Sequence, residues 1–310
     1  MDIKVENQRL HLPTVSINNL DMRKNIFIPV VILSFILSCT LFSCKKTAQN
    51  STKIVFDSIV VKEQIPLLET NDTTLPFADI KISFTYPVEF GNKEDLARLQ
   101  QIFIGTFFNS LHLDTLSPQE AVNAYVSDYK EEYKSLSNTY YSEISRLPKG
   151  EMPMWYWYYM YNTNKVMFQN DSLLSYAIEY SDYTGGAHGS YRITYANIDL
   201  GKLVTVSEED IFIPNYKKPL TEIIINRLMD HYNVSVPDSL ISLGFFNLDE
   251  VFPNNNFWLD NEGIHYSFNQ YEIAPYSMGV INVDIPYGDL SAVLKPENVT
   301  QKFFLKNASK

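Results

Sequence analysis

The residues best suited to chemistry in this sequence lie in one glycine-rich stretch, residues 183–189 (YTGGAHG). His188 is the one imidazole within it, and imidazole can transfer protons, bind metals or form hydrogen bonds. Its three glycines allow positive φ angles or a close approach of another segment. Two interpretations stay open. The stretch is either a hairpin tip whose imidazole caps backbone groups, or a recognition loop held by a rigid scaffold.

Common catalytic and metal-binding motifs are missing from the sequence. No His-x-x-x-His or His-Glu-x-x-His spacing occurs, and there is no Gly-x-Ser-x-Gly elbow, P-loop or Gly-x-Gly-x-x-Gly. We therefore expect no metal and no cofactor, and we name no catalytic residue. A cryptic hydrolase stays open as an alternative, because carboxylates that meet in the fold could act as an acid/base pair, with His188 or His265.

Alternating apolar and polar residues flank the glycine-rich stretch and predict an antiparallel hairpin. The apolar rows are residues 174–180 before it and 191–195 after it, taken at every second position. A register in which paired residue numbers sum to 371 places apolar side chains opposite one another. It predicts the pairs Tyr180–Tyr191, Ile178–Ile193, Tyr176–Tyr195 and Glu179–Arg192.

A second segment, residues 266–279, covers the end of one further predicted strand and the connection to the next, and it combines aromatic rings with Pro275 and Gly279. We predict that it lies beside the glycine-rich stretch and that both form one face of a binding surface. The alternative is that both segments only shape tight connections. The candidate ligand-binding residues are Tyr183, Gly185, Gly186, His188, Gly189, Tyr271 and Tyr276.

The run from Met152 to Tyr161 is unusually rich in aromatic residues. Its alternation predicts a strand with Trp155, Trp157, Tyr159 and Tyr161 on one face. Such a strand is either central and covered on both faces, or an aromatic platform for sugar or peptide, since aromatic side chains contribute much of the contact energy in interfaces.

Helix signals occur between the predicted strands. Asn92 is a suitable N-cap, with Glu94 and Asp95 in the first turn. Ser117 and Glu120 form a capping box that opens a second helix to about residue 141. Residues 220–231 have the spacing of an amphipathic helix. Together the patterns predict an α+β fold with antiparallel sheets, packed helices and two successive small domains.

The glycine-rich stretch, followed by residues 197–202 (NIDLGK) and 210–212 (DIF), resembles a family of bacterial envelope domains of unknown function, DUF3298. Residues 266–276 (YSFNQYEIAPY) through Gly279 are similar to a second signature of that family. The preceding region resembles the companion domain DUF4163. The pair resembles the extracytoplasmic part of lysozyme-sensing anti-sigma factors and the non-catalytic part of a peptidoglycan deacetylase. The resemblance implies domains at 53–164 and 165–300, and binding without catalysis.

The N-terminus is typical of a lipoprotein signal peptide, predicted to span residues 1–44. A basic start at Met22 to Lys24 precedes an apolar run and a lipobox that ends at Cys44. Met22 is an alternative start of translation, and Cys39 is a weaker cleavage site. An uncleaved membrane helix is the rival interpretation, but the apolar run is short for a bilayer. Residues 45–52 then form a tether. We expect a lipid anchor in a bacterial membrane, on the periplasmic side.

The charge of the chain narrows the class of partner. The net charge is −11, and residues 1–44 carry four basic and three acidic residues, so the remainder is near −12. An acidic body would repel phosphates and is unfavourable for nucleic acid. We expect a non-enzymatic binding module for a protein or cell-wall ligand, such as cationic lysozyme or peptidoglycan fragments. A purely structural spacer is a further alternative.

Overall fold

The structure, a computed structural model, describes residues 53–70, 72–110 and 112–305. The predicted signal peptide, the tether, Cys39 and Cys44 lie outside these residues. Among the described residues, no helix has the length and apolar character needed to cross a membrane.

A six-stranded sheet runs from the first described strand to residue 205. Its strand order follows the chain, and all neighbouring strands pair antiparallel except β2 and β3, which are parallel. Parallel neighbours need a long crossover, and three helices between β2 and β3 supply it. The strands are β1 (Val55–Pro66), β2 (Phe77–Glu89), β3 (Tyr158–Gln169), β4 (Leu173–Tyr183), β5 (Ser190–Asp199) and β6 (Val204–Thr205).

The crossover helices are α1 (Lys93–Phe108), α2 (Pro118–Ser135) and α3 (Ser137–Ile144). Both predicted caps are confirmed: Asn92 accepts hydrogen bonds from the backbone of Glu94 and Asp95, and Ser117 forms a capping box with Glu120. The prediction of one helix to residue 141 is wrong, because α2 ends at Ser135 and a separate helix, α3, begins after Leu136. The buried faces of these helices cover one face of the sheet and form the first hydrophobic core.

The described residues after β6 form a second core around a three-stranded antiparallel sheet. Its elements are α4 (Glu208–Ile211), α5 (Lys217–His231), α6 (Asp238–Ser242), β7 (Phe257–Leu259), β8 (Gly263–Phe268) and β9 (Ile281–Pro286). The predicted helix ending near His231 and both predicted strands at 264–268 and 281–285 are confirmed. The predicted α+β class, with antiparallel sheets and packed helices, is confirmed as well.

The hairpin of β4 and β5 forms, but the predicted register is wrong by one residue. Tyr180 faces Arg192 and Ile178 faces Thr194, so paired numbers sum to 372. The two apolar rows point to different faces of the sheet. Tyr176 stacks on Phe103 of α1 at 4.3 Å, whereas the Tyr195 hydroxyl is 3.1 Å from Ser267 of β8.

The predicted pair of Glu179 and Arg192 is also absent. Arg192 lies over the ring of Tyr180 at 4.5 Å. Glu179 instead accepts a hydrogen bond of 3.3 Å from Tyr191 and lies 3.4 Å from the Lys165 ammonium.

The aromatic run is a strand only in its second half. Residues 154–156 form a 3₁₀ turn after Pro153, and β3 begins at Tyr158. The prediction that Trp155 and Trp157 share a strand face with Tyr159 is therefore wrong. The central position of β3 in the sheet is confirmed.

Candidate functional site

The glycine-rich loop between β4 and β5 needs its glycines for two different reasons. Gly185 and Gly186 have φ angles of +95° and +96°, which residues other than glycine rarely adopt. Gly189 has ordinary φ, but a Cβ there would lie 2.7 Å from the carbonyl oxygen of Asp182 and would overlap the hydroxyl of Tyr159. The Tyr183 hydroxyl donates to the Gly186 carbonyl at 2.9 Å and closes the loop. The loop is therefore a fixed shape that presents His188.

His188 is exposed, and the structure gives it three neighbours. Its Nδ1 lies 2.9 Å from the carbonyl oxygen of Gly189, so Nδ1 carries the proton and donates. Its Nε2 is then free to accept from the Tyr271 hydroxyl, 3.4 Å away. Its ring stacks on Tyr276 with centroids 4.1 Å apart. The predicted proximity of the two segments is confirmed.

Amide side chains hold the second segment against β5. Asn269 accepts from the backbone N–H of Ile193 at 2.8 Å and donates to its carbonyl at 3.0 Å. Gln270 accepts from the N–H of Tyr191 at 3.3 Å, and Asn256 accepts from that of Tyr195 at 3.1 Å. These amides satisfy backbone groups along β5 where β6 does not reach. Tyr271 follows Gln270 directly, so this docking sets its distance from His188.

Tyr271 is held in an unfavourable backbone conformation. Its φ is +68°, a region that costs side chains with a Cβ about 1–2 kcal/mol. Its side chain is 57% exposed, so burial does not compensate for this cost. Strain of this kind at an exposed aromatic residue is a reason to suspect function.

The aromatic residues continue from the loop onto β3. The ring of Tyr159 lies 5.0 Å from that of Tyr161 and 6.2 Å from that of Tyr183. Burial raises the pKa of the Tyr159 hydroxyl, and the charges of Tyr276 and Asp182 raise it further. We name this set the aromatic surface and define it as Tyr159, Tyr161, Tyr183, His188, Tyr271 and Tyr276.

Tyr159 and Tyr161 were not among the predicted site residues. The sequence did single them out in the aromatic run, but it gave no sign that β3 lies beside β4 with Tyr159 opposite Tyr183. That pairing is what joins the run to the glycine-rich loop.

His265 belongs to a different cluster. It stacks on Trp258 at 4.0 Å, and its Nδ1 and Nε2 lie 2.6 Å from Asp284 and 3.1 Å from Asp260. Asp260 also accepts from the backbone N–H groups of Glu262 and Gly263. The cluster therefore ties the turn between β7 and β8 to β9. Within the described residues, no carboxylate forms an ion pair with His188, and no group of three or more His, Cys, Asp or Glu side chains could hold a metal.

Comparison with known families divides the chain into two matched regions. Residues 78–191 match the model of the deacetylase PdaC, and residues 209–288 match that of a protein of unknown function, DUF3298. A search of curated proteins finds no match. The glycine-rich loop lies in the first region, and the segment of Tyr271 and Tyr276 lies in the second.

The chain is similar to several solved structures, among them two crystal structures. A DUF3298 family member from Bacteroides fragilis is 33% identical, with a TM-score of 0.73, covering 80% of this chain and 96% of its own. The chain belongs to the DUF3298 family. A DUF3298 family protein from Pseudomonas aeruginosa is 17% identical, with a TM-score of 0.53 over 79% of this chain and 95% of its own, and shares the fold.

The aromatic surface of this DUF3298 member draws on both matched regions. Tyr159, Tyr161, Tyr183 and His188 come from the PdaC-like region, and Tyr271 and Tyr276 come from the DUF3298 region. Neither region alone would contain it. The DUF4163 and anti-sigma-factor resemblances, and the domain limits at 53–164 and 165–300, stay predictions.

Proposed function

We propose that this protein is a non-enzymatic binding module of the bacterial cell envelope and that the aromatic surface contacts its ligand. The observation that carries the proposal is the stack of His188 on Tyr276, with Tyr271 beside it on a strained backbone. Stacked, partly exposed rings offer a large contact area with few rotatable bonds. A flat aromatic area of this kind suits the face of a sugar ring or a peptide backbone.

The ligand we propose is a cell-wall fragment or a cationic protein such as lysozyme. The aromatic rings favour the first, because sugars and stem peptides can lie flat on them. The acidic body, near −12 beyond residue 44, favours the second through attraction at long range.

We also propose that the protein is attached by lipid at Cys44 and faces the periplasm. The support comes from the sequence alone, in the order of basic residues, apolar run and lipobox. Such an anchor would hold the aromatic surface close to the wall.

The test is binding by the full-length chain in detergent to two separate probes, soluble peptidoglycan fragments and hen egg-white lysozyme. Saturable binding of either probe without product release supports a binding module and identifies the ligand class. No binding of either probe contradicts the proposed ligands. Release of new reducing ends from the fragments, lost when a carboxylate is replaced, would establish the hydrolase instead.

A further inference from the structure

A cavity of about 630 Å³ lies between α2 and the ends of β3 and β4. Its size falls in the range of small-molecule sites. Five tyrosines line it: Tyr125, Tyr129, Tyr133, Tyr158 and Tyr180. Three of them come from successive turns of α2, so one helix face supplies much of the wall.

The cavity is on the other side of the sheet from the aromatic surface. Neighbouring residues of a strand point to opposite faces, so Tyr158 lines the cavity while Tyr159 belongs to the aromatic surface. Thr184, at the start of the glycine-rich loop, also lines the cavity. The two sites therefore share the loop but no tyrosine.

Three carboxylates and one imidazole line the cavity, and the imidazole of His112 lies 3.2 Å from Asp128. Asp128, Glu132 and Asp182 line it, and its lining includes no Lys or Arg. Burial raises the pKa of the Tyr129 hydroxyl, and the charges of Asp182 and Glu132 raise it further. The carboxylates therefore impose a negative potential inside a partly desolvated, aromatic space, which favours a cation.

Two buried polar atoms at this cavity and its neighbour have no hydrogen-bond partner among the described residues. One is the hydroxyl of Tyr129. The other is Oδ1 of Asn162, whose side chain is 3% exposed. Asn162 lines an adjoining cavity of about 320 Å³, which shares Tyr125 and Tyr180 with the first. Unpaired buried acceptors are costly, and a bound N–H donor would satisfy them.

One tyrosine that lines both cavities already contacts a cation of the chain. The guanidinium of Arg192, which lines the smaller cavity, lies 4.5 Å from the centroid of Tyr180. This contact is within the range of a cation–π interaction. The Tyr180 ring therefore already attracts a positive group of the chain.

We propose that the tyrosine-lined cavity binds a small organic cation that carries a primary or quaternary ammonium group. The tyrosine rings attract the charge through their faces, as in aromatic cages for ammonium ligands. Glu132 and Asp182 supply the opposite charge, whereas Asp128 already faces His112. The Tyr129 hydroxyl accepts an N–H donor from a primary amine. This site is independent of the ligand proposed for the aromatic surface.

The test is calorimetric titration of the full-length chain in detergent with choline, cadaverine and 3,3-dimethylbutan-1-ol. The last is the neutral counterpart of choline with nearly the same shape. We expect both cations to bind with a dissociation constant of about 1 mM or lower and the neutral alcohol about tenfold more weakly. The proposal is overturned if neither cation binds, or if the alcohol binds as tightly as choline.

Matched variants locate the binding. Glu132→Gln removes a carboxylate of the cavity, whereas Glu131→Gln changes its exposed neighbour on α2, which does not line the cavity. We expect the first to weaken both cations about fivefold or more and the second to leave them unchanged. Equal losses in both variants would overturn the assignment.

Tyr129→Phe separates the two kinds of ammonium. The variant keeps the ring and removes an unpaired hydroxyl, so the fold should tolerate it. We expect choline binding to be kept and cadaverine binding to weaken, because only a primary amine donates N–H groups. If Tyr129→Phe lost choline binding at an unchanged melting temperature, the claim that choline contacts the ring of Tyr129 and not its hydroxyl would be wrong.

Discussion

His188 and Tyr276 stack with ring centroids 4.1 Å apart, although they lie in different family matches. The stack depends on two arrangements: a glycine-rich loop that presents His188, and amide side chains that dock the second segment onto β5. Substitutions can disturb the loop or the docked segment separately, and we expect different effects on stability and on binding.

The loop shape should depend on Gly185 and Gly186. Valine at either position would have to adopt a φ near +95°, and we expect a loss of about 1 kcal/mol or more in the free energy of unfolding. Gly288→Val is the control, because Gly288 is exposed, lacks positive φ and has open space at the Cβ position. Thermal unfolding measures the effect. Unchanged melting of both loop variants would show that the loop does not need these glycines.

We expect the strained backbone of Tyr271 to serve ligand binding and not stability. Asparagine tolerates positive φ better than tyrosine, so we expect Tyr271→Asn to keep or raise the melting temperature. The same change should weaken binding of peptidoglycan fragments or lysozyme, because a ring of the aromatic surface is lost. A clear fall in melting temperature would instead make Tyr271 a structural residue.

The hairpin shows why part of the fold could be predicted and part could not. Alternation identified β4 and β5, because each strand has one apolar row. It could not tell that Tyr176 packs on α1 while Tyr195 packs toward β8. The faces of a strand are assigned by the layers that cover it, and those layers are distant in sequence.

The candidate site could also be predicted only in part. Tyr183, His188, Tyr271 and Tyr276 stood out as aromatic or imidazole groups in glycine- or proline-containing connections, and the structure brings them together. The contribution of Tyr159 could not be predicted, since it depends on the pairing of β3 with β4. The docking of Asn269 on Ile193 is equally a tertiary contact, for which the asparagine in the sequence is only a weak signal.

Asp260 should stabilise the fold at neutral pH and lose this contribution in acid. Burial raises the pKa of its carboxyl, but the N–H of Glu262, His265 and the N–H of Gly263 outweigh burial and hold the pKa below its usual value. A carboxyl whose pKa is lowered by folding stabilises the protein at pH values above its pKa in the unfolded chain, about 3.9. That contribution is lost as the pH falls through the lower, folded value.

We therefore expect Asp260→Asn to be less stable than the wild type at pH 7 and to lose less stability between pH 7 and the acid range. Asp238→Asn, an exposed position of α6, serves as the control and should follow the wild type. Urea unfolding across this pH range measures the difference. Parallel curves for the wild type and Asp260→Asn would contradict the role assigned to Asp260.

The anchor should depend on Cys44. Metabolic labelling with a fatty-acid probe should modify the wild type and Cys39→Ala, but not Cys44→Ala, because the lipobox ends at Cys44. If Cys44→Ala is labelled as strongly as the wild type, the proposed site of lipid attachment is wrong.

The central claim is that the aromatic surface binds a ligand, and one titration tests it most directly. Peptidoglycan fragments and lysozyme are titrated into the wild type, His188→Ala, Tyr276→Ala and Tyr141→Ala, with melting temperatures measured in parallel. Tyr141 is the control, since it is an exposed tyrosine on α3 that lies outside the aromatic surface. We predict that the first two variants lose about tenfold or more in affinity for the bound probe while melting like the control. Affinities equal to that of Tyr141→Ala, or losses matched by a fall in melting temperature, would contradict the account.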